Sequence, residues 1–364
     1  MTTFRFLDQY NVEITGQGEL HSSLEEYYNR ISINTSKDID LHCHIRDDIG
    51  NAEKILGDPR SFYGKSDGAF IHKSDLGSFK IDQNRDYIEI GNDTALHLAF
   101  KIIEYQVRKN LAENDICMVH ASSVKFNNTT VLFPAWRHTG KTNTLLSLLK
   151  NRKASYLSDD RLWVSKDCTA HGFPLPINIE PYNNSMVNES ARSLADINRF
   201  KLSRVIESRT HKKETFIEKA LYFFNEFYIT PDAKKIMLEE LFNECSHTSS
   251  SPIDFLIFLQ SHNHNDDRPY MEKISSDQAA RYLSSINEYE WNSYIRSICS
   301  SSDLLFNRDS DKTDLHQLEE TENKVFGRIC HELPTYVLFL PQKQDWHEDN
   351  LSSRVIEKIE SVCL

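Results

Sequence analysis

The sequence has no long apolar run and no segment approaching the ~18 consecutive apolar residues that a membrane-spanning helix requires. Its first residues, MTTFRFLDQYNVEI, lack the basic stretch followed by an apolar stretch that is typical of a signal peptide. Repeats and low-complexity tracts are also absent. We therefore expect a soluble protein that does not have a membrane as a partner.

Paired cysteines and an excess of positive charge are missing as well. The seven cysteines are odd in number and have no CxxC spacing, which predicts reduced thiols and a cytoplasmic location rather than a disulfide framework. The 42 Lys and Arg residues are outnumbered by 54 Asp and Glu residues, so the net charge is −12. A general nucleic-acid binder usually has a basic surface, so the acidic composition argues against nucleic acid as a partner.

The length and composition are sufficient for a substantial core. The chain has 364 residues, of which 39% are hydrophobic and 26% are charged, as in ordinary globular proteins. Alternating apolar residues predict a β-rich N-terminal region over residues 1–90. The rest, 91–364, is predicted to be a mixed α/β core with helical insertions at about 185–250 and 276–325.

Several elements of this core can be placed from their periodicity. Helices are predicted over 94–111, 276–298 and 350–362, and buried strands over 253–259 and 336–340. The acidic stretch 300–322 is predicted to be a loop or a short helix, and the aromatic run 222–228 to be core.

The stretch 119–164 carries the most informative pattern. The apolar run 130–133 predicts a strand, the leucines of 145–149 predict a helix, and Gly140-Lys141-Thr142 stands between them. At such a turn, backbone N–H groups have no partner inside the helix, and the helix dipole favours negative charge. The stretch therefore predicts an anion-binding site.

The side chains around this turn have the chemistry of phosphoryl transfer. Lys141 can reach the outer phosphates of a nucleotide, and the hydroxyl of Thr142 can bind the accompanying magnesium. A second predicted strand, 154–157, leads to Asp159 and Asp160. These two carboxylates stand where a metal ligand or a general base would lie. His120, ahead of the loop, is either a catalytic residue or a hydrogen-bonded core residue.

The loop departs from the Walker A pattern. Ala135 occupies the position of the first glycine, and Trp136, Arg137 and His138 fill a segment that is usually small. Glycine matters there because the backbone must adopt unusual dihedral angles and approach the phosphates closely. Arg137 adds a positive group that can replace part of this stabilisation. An ordinary strand–turn–helix with a chance GKT remains the alternative.

The run from His120 to Val124, the apolar strand, the GKT loop and the Ser-Asp-Asp strand end together resemble the HPr kinase/phosphorylase-related proteins. Their fold is akin to that of phosphoenolpyruvate carboxykinase, so the resemblance implies a P-loop core of that type. It also implies that His120 assists Asp159 in deprotonating an acceptor serine, and that Lys141 and Thr142 hold ATP and magnesium.

These inferences define three groups of residues. Asp159 and His120 are expected to be catalytic, and Thr142, Asp160 and Glu180 to bind the metal, although a surface acid is the alternative for Glu180. The expected nucleotide-binding residues are Ala135, Arg137, His138, Thr139, Gly140, Lys141, Thr142 and Asn143.

The function expected from these groups is ATP-dependent phosphorylation of a serine or another hydroxyl of a protein or peptide, with ATP and Mg²⁺. The alternative is a degenerate nucleotide-binding module that acts through a protein partner without turnover, which the bulky loop favours. Hydrolysis or phosphorolysis would use the same residues. The resemblance also implies a possible homo-oligomer.

A second cluster, His42-Cys43-His44, has the residue types of a metal site. In a strand, His42 and His44 share one face, so two ligands are geometrically possible. No further ligand can be identified from spacing, and a structural role is the favoured interpretation.

Overall fold

Strands predominate in the first ninety residues, and strands and helices mix thereafter. The computed structural model describes residues 1–33, 38–82, 86–179, 234–242, 245–263, 268–308, 314–341 and 349–363, with isolated positions between 199 and 221. Within this part the chain is of the α/β class, with two large mixed β-sheets and helices packed on them. Most of the predicted insertion 185–250, including 222–228, lies outside the described residues.

The N-terminal sheet confirms the predicted β-rich region. Its order is β3-β1-β2-β4-β9-β8-β7-β6-β5, and β2, β4 and β9 run parallel to one another. A helix that the sequence analysis missed, α1 (Glu19–Tyr28), follows β2 and buries Leu20, Leu24 and Tyr28 at a spacing of four residues. The nine strands are β1 (Thr2–Phe6), β2 (Tyr10–Thr15), β3 (Ser32–Ile33), β4 (Leu41–Arg46), β5 (Lys54–Asp58), β6 (Ser61–Ser66), β7 (Ala69–Ser74), β8 (Gly77–Ile81) and β9 (Tyr87–Gly91).

Helix α2 (Leu96–Ala112) confirms the helix predicted over 94–111 and joins the two sheets. Its apolar residues share one core with strands β1, β2 and β4 and with the first residues of the next strand. Because α2 lies between the sheets, a charge on α2 can act on groups from both of them.

The second sheet begins with β10 (Ile116–Phe126), which pairs with three other strands. The first half of β10 pairs with one strand and the second half with two others. The remaining strands in the order of the chain are β11 (Thr129–Pro134), β12 (Ala154–Ser158), β13 (Arg161–Ser165), β14 (Thr169–His171), the separate hairpin of β15 (Ile177–Ile179) and β16 (Lys234–Ile236), then β17 (Ser246–His247), β18 (Ser250–Pro252), β19 (Phe255–His262), β20 (Tyr270–Lys273) and β21 (Thr335–Pro341).

Strand pairing in the second sheet positions the site. The first half of β10 pairs with β13, and the second half with β11 on one side and β12 on the other. Strands β11, β19 and β21 are parallel, so their carboxyl ends meet at one edge. Asn127 and Asn128, both with positive φ, form the tight turn between β10 and β11.

The helices of the core are α3 (Lys141–Asn151), α4 (Leu238–Leu241), α5 (Ser276–Asn287), α6 (Ser293–Phe306), α7 (Asp314–Glu332) and α8 (Asp349–Cys363). A π-helical turn, Glu288–Asn292, separates α5 from α6. The predicted strands 253–259 and 336–340 and the helices 276–298 and 350–362 are thus confirmed. The prediction of a loop or short helix over 300–322 was wrong, because α7 buries an apolar stripe that includes Leu318 and Val325.

The His-Cys-His cluster lies in β4, where its histidines have other partners. His42 contacts Glu13 at 3.1 Å and His44 contacts the Thr15 hydroxyl at 2.6 Å. Among the described residues, no group of three or more His, Cys, Asp or Glu side chains is arranged to hold a metal ion. In the same part of the chain, no helix combines the length and the apolar character that a membrane crossing needs.

A buried ion pair between α2 and α7 generates a stability prediction. Arg108 Nη2 lies 2.7 Å from Glu322 Oε1 and 2.8 Å from the side-chain oxygen of Asn292, and both charged side chains are almost fully buried. We expect Arg108→Met to lower the free energy of unfolding by ~3–5 kcal/mol, because it leaves the Glu322 carboxylate buried without its partner. Urea denaturation measures this loss.

The neighbouring residue on the same helix supplies the control. Lys109 pairs with Asp314 at 3.1 Å and is partly exposed, so Lys109→Met should change stability by at most about 1 kcal/mol. Replacing both members of the buried pair, Arg108→Met with Glu322→Leu, should recover much of the loss. Equal losses in the Arg108 and Lys109 variants would contradict the argument.

Candidate nucleotide site

The turn of residues 135–140 connects β11 to α3 at the carboxyl end of a parallel strand, where open α/β sheets bind ligands. Ala135 continues the strand direction: it forms a parallel bridge with Leu259, and its N–H donates to the carbonyl of His120 at 3.3 Å. Gly140 adopts a left-handed conformation, φ 96°, immediately before the first residue of α3. A residue without Cβ fits this position, and the helix N-terminus follows directly.

Lys141, the first residue of α3, is buried and points its ammonium at two groups. Nζ lies 2.8 Å from His120 Nε2 and 3.2 Å from Asp160 Oδ1. A buried ammonium requires such partners, because an unpaired charge in the interior is costly. Lys141, His120 and Asp160 therefore form a triangle of mutual contacts beside the turn.

His120 lies inside β10, where the pairing of that strand changes from β13 to β11. Its Nδ1 is 2.6 Å from the carbonyl oxygen of Ala135, which only accepts, so we assign the ring hydrogen to Nδ1. In the neutral ring, Nε2 is then free to accept. The same Nε2 is 2.9 Å from Asp160 Oδ1, so a proton on Nε2 would be shared with that carboxylate.

The two aspartates have different surroundings. Asp159 is buried, and its Oδ2 accepts a 2.8 Å hydrogen bond from the hydroxyl of Thr142. Burial raises the pKa of Asp159 to about 6, although Lys141 opposes the rise. The Asp160 side chain has 51% of its surface exposed, although protein atoms crowd around it; burial alone would raise its pKa, but Lys141 and His120 hold it well below the usual range.

The contacts of Asp159 and Asp160 thus differ from those that their expected roles require. Asp160, not Asp159, contacts His120, and Asp159, not Asp160, contacts Thr142. The two neighbouring residues lie in the turn between β12 and β13, and Asp160 contacts the Lys141 ammonium whereas Asp159 contacts the Thr142 hydroxyl. Spacing in the sequence could not separate neighbouring residues in this way.

The remaining predicted residues surround the turn. His138 is exposed with φ 60°, and the Thr139 hydroxyl donates to the Trp136 carbonyl at 2.7 Å. Trp136 packs edge-on against Tyr282 of α5, with 6.0 Å between ring centroids. Asn143 is buried in the first turn of α3. Glu180, predicted as a metal ligand, lies outside the described residues.

Sequence reasoning missed Glu290, an almost fully buried acid in the π turn. Its Oε2 accepts from Arg137 Nε at 2.6 Å, and its Oε1 accepts from the Arg137 backbone N–H at 3.3 Å. Oε1 is also 4.0 Å from His120 Nδ1. The only signal in the sequence is a single acid between Tyr289 and Trp291 in an apolar helical stretch, which does not indicate a partner.

A second residue that sequence reasoning missed connects the site to the N-terminal region. Arg161, next to Asp160, pairs with Glu104 of α2 at 2.9 Å and donates to the hydroxyl of Tyr27 on α1. Its Nη1 is 3.8 Å from Asp160 Oδ2. Arg161 therefore connects the acidic turn to helices α1 and α2.

The residues present fit a divalent cation beside Thr142. Asp159 Oδ1 is buried and has no hydrogen-bond partner in the described part of the chain, and an oxygen in that state is a suitable ligand for a cation. Mg²⁺ is commonly held by one or two protein groups together with substrate phosphates and water, so Thr142 and Asp159 are sufficient protein ligands.

Comparisons with known proteins do not extend this picture. No protein-family model matches the chain, and a search of curated proteins finds no significant relative. The resemblance to HPr kinase-related proteins therefore stays a prediction that rests on the residues described above.

The environment of Asp159 predicts a pH-dependent stability. A carboxyl whose pKa is raised from 3.8 to about 6 binds its proton more tightly in the folded state, so its ionisation destabilises the fold as pH rises through that window. Asp159→Asn removes this ionisation. The variant should match wild type near pH 4 and exceed it by up to ~3 kcal/mol at pH 7, measured by urea denaturation without nucleotide or metal.

Asp160→Asn is the matched control, with the opposite sign. Because the pKa of Asp160 is held below the ordinary value, its charge stabilises the fold above pH 4 and the stabilisation is lost as pH falls. Asp160→Asn should therefore be less stable than wild type at neutral pH. Parallel pH profiles for the two variants would show that these surroundings do not govern the carboxyls.

Proposed function

We propose that this chain is an ATP-dependent kinase, of the HPr kinase/phosphorylase-related type, that transfers phosphate to a serine or another hydroxyl of a protein or peptide. The observation that carries the proposal is the triangle of Lys141, His120 and Asp160 at a helix N-terminus. A phosphate-binding cation, a carboxylate and a proton-accepting ring in mutual contact are the parts that phosphoryl transfer requires.

The turn and Lys141 would hold the phosphates. N–H groups in the first turn of α3 have no intrahelical acceptor, and Lys141 adds a full positive charge at the same point. Thr142 and Asp159 would hold Mg²⁺, which neutralises charge on the phosphates when it is bound. Asp159 must be ionised for this role, and a nearby cation favours the ionised form.

Asp160 is assigned as the base in place of Asp159. Its side chain is half-exposed, so an acceptor can reach it, and it contacts His120, whereas Asp159 is buried against Thr142. The acceptor oxygen attacks the terminal phosphorus as the bond to the diphosphate leaving group breaks. Asp160 takes the proton from the hydroxyl, and Nε2 of His120 can accept it in turn.

A binding module without turnover is the second candidate, and one observation favours it. The N–H of Arg137, in the segment that normally wraps the phosphates, is engaged by Glu290. With Ala135 in place of the first glycine, the loop offers fewer free donors than a complete Walker A loop. Such a site could bind a nucleotide and signal through a partner surface.

Calorimetry and a phosphate-transfer assay distinguish the two candidates. Lys141→Ala should weaken binding of Mg-ATP by about ten- to a hundredfold, because a charge-assisted contact is lost. Asp160→Asn should bind Mg-ATP at least as tightly as wild type, because a carboxylate that competes for Lys141 is removed, and should transfer phosphate ~10²–10⁴-fold more slowly, because the base is removed. Candidate acceptor peptides, radiolabelled ATP and Mg²⁺ provide the assay.

Lys150→Ala, at the opposite end of α3, is the control for loss of a lysine charge and should bind and transfer normally. Tight binding with no transfer to any acceptor by wild type would favour the module. Equal transfer by wild type and by the Lys141 and Asp160 variants would reject these roles, and absence of Mg-ATP binding would reject both candidates.

A further inference from the structure

The π turn Glu288–Asn292 presents a buried carboxylate to the loop, and the proposed function does not use it. The Glu290 side chain is only 1% exposed, and its two oxygens are taken by two donors of the same residue, the backbone N–H and Nε of Arg137. Burying a carboxylate in this way requires a fixed partner. π turns inserted into α-helices occur frequently at functional sites.

The contact leaves the outer end of the guanidinium available. Arg137 uses Nε for Glu290, and its Nη1 and Nη2 groups have no hydrogen-bond partner within the described ranges. The Arg137 side chain is 61% exposed, so it is accessible to a ligand from solvent. A guanidinium held by Nε keeps two parallel donors for an oxyanion, the geometry in which arginine binds phosphate.

The π turn is fixed on both sides of Glu290. Asn287 Nδ2 donates to the carbonyl of Met118 in β10 at 2.8 Å, and the Trp291 ring lies edge-on to His120, 5.9 Å between centroids. The Arg108 guanidinium lies 5.1 Å from the Trp291 ring centroid. These contacts hold the Glu290 carboxylate at a constant position relative to His120 and the loop.

We infer that Glu290 is a positioning residue that directs the guanidinium of Arg137 to the terminal phosphate of a nucleoside triphosphate, and this rests on the proposed function. Glu290 lies 4.0 Å from His120, and His120 contacts Asp160, the proposed base. The transferred phosphate must lie close to the base, because the base accepts the proton of the attacking hydroxyl. In this proposal the exposed guanidinium of Arg137 contacts the terminal phosphate beside that base, so the site should discriminate triphosphate from diphosphate.

A double-mutant cycle tests the inference. The affinities of wild type, Arg137→Gln, Glu290→Gln and the double variant are measured by calorimetry for Mg-ATP, Mg-ADP and inorganic tripolyphosphate with Mg²⁺. Arg137→Gln should weaken ATP and tripolyphosphate about tenfold, or about 1.4 kcal/mol, and leave ADP unchanged. Glu290→Gln should weaken the same two ligands, and the double variant should be no weaker than Arg137→Gln alone.

The bidentate pair Arg152–Glu360 at the other end of α3 is the matched control, with Nη2 2.8 Å from Oε2. Arg152→Gln and Glu360→Gln should leave all three affinities unchanged. If Glu290 merely supports the fold, its substitution will weaken ATP and ADP equally and will add to Arg137→Gln, which overturns the inference.

The remaining outcomes separate the inference from the proposed function. Triphosphate discrimination that depends on Arg137 and Glu290, in a protein that transfers no phosphate, supports the inference and rejects the kinase. Phosphate transfer by wild type, together with an unchanged ATP affinity in both variants, supports the kinase and rejects the inference. If wild type binds none of the three ligands, both are rejected.

Discussion

Lys141 begins a helix at a buried position, and a buried ammonium must be paired. The two partners come from separate parts of the second sheet: His120 from the middle of β10 and Asp160 from the turn between β12 and β13. Strand β10 pairs with β11, β12 and β13, so it fixes the distance from the loop to the acidic turn. The geometry of the triangle is therefore a consequence of the pairing of one strand.

The surroundings of the triangle extend across both sheets. Arg161 reaches from β13 to Glu104 and Tyr27, and Arg108 joins α2 to α7 beside the π turn. These ion pairs are buried, so removing one member leaves an uncompensated charge, whereas the intact pairs specify how the elements meet. The N-terminal region is thereby connected to the acidic turn through side chains as well as through the apolar core.

The regular elements around the site were predictable, whereas the contacts between them were not. The strand 130–133 and the leucines of α3 have clear periodicities, so the strand–turn–helix and the placement of Lys141 follow from the sequence. Which aspartate contacts His120 depends on the turn after β12 and has no sequence signal. Glu290 is 153 residues from Arg137, and the length of α7 was underestimated because its polar residues conceal a narrow apolar stripe.

The triangle also links phosphate binding to the strength of the proposed base. Lys141 and His120 hold the pKa of Asp160 low, and a carboxylate in that state is a weak proton acceptor. A phosphate that binds to the loop would compete for the ammonium of Lys141, because one Nζ cannot fully neutralise both anions. The charge that lowers the pKa of Asp160 would then be offset, and its pKa would rise. Asp160 would become a better base when a phosphate is in place, so the contacts of Lys141 with His120 and Asp160 would couple phosphate binding to proton transfer.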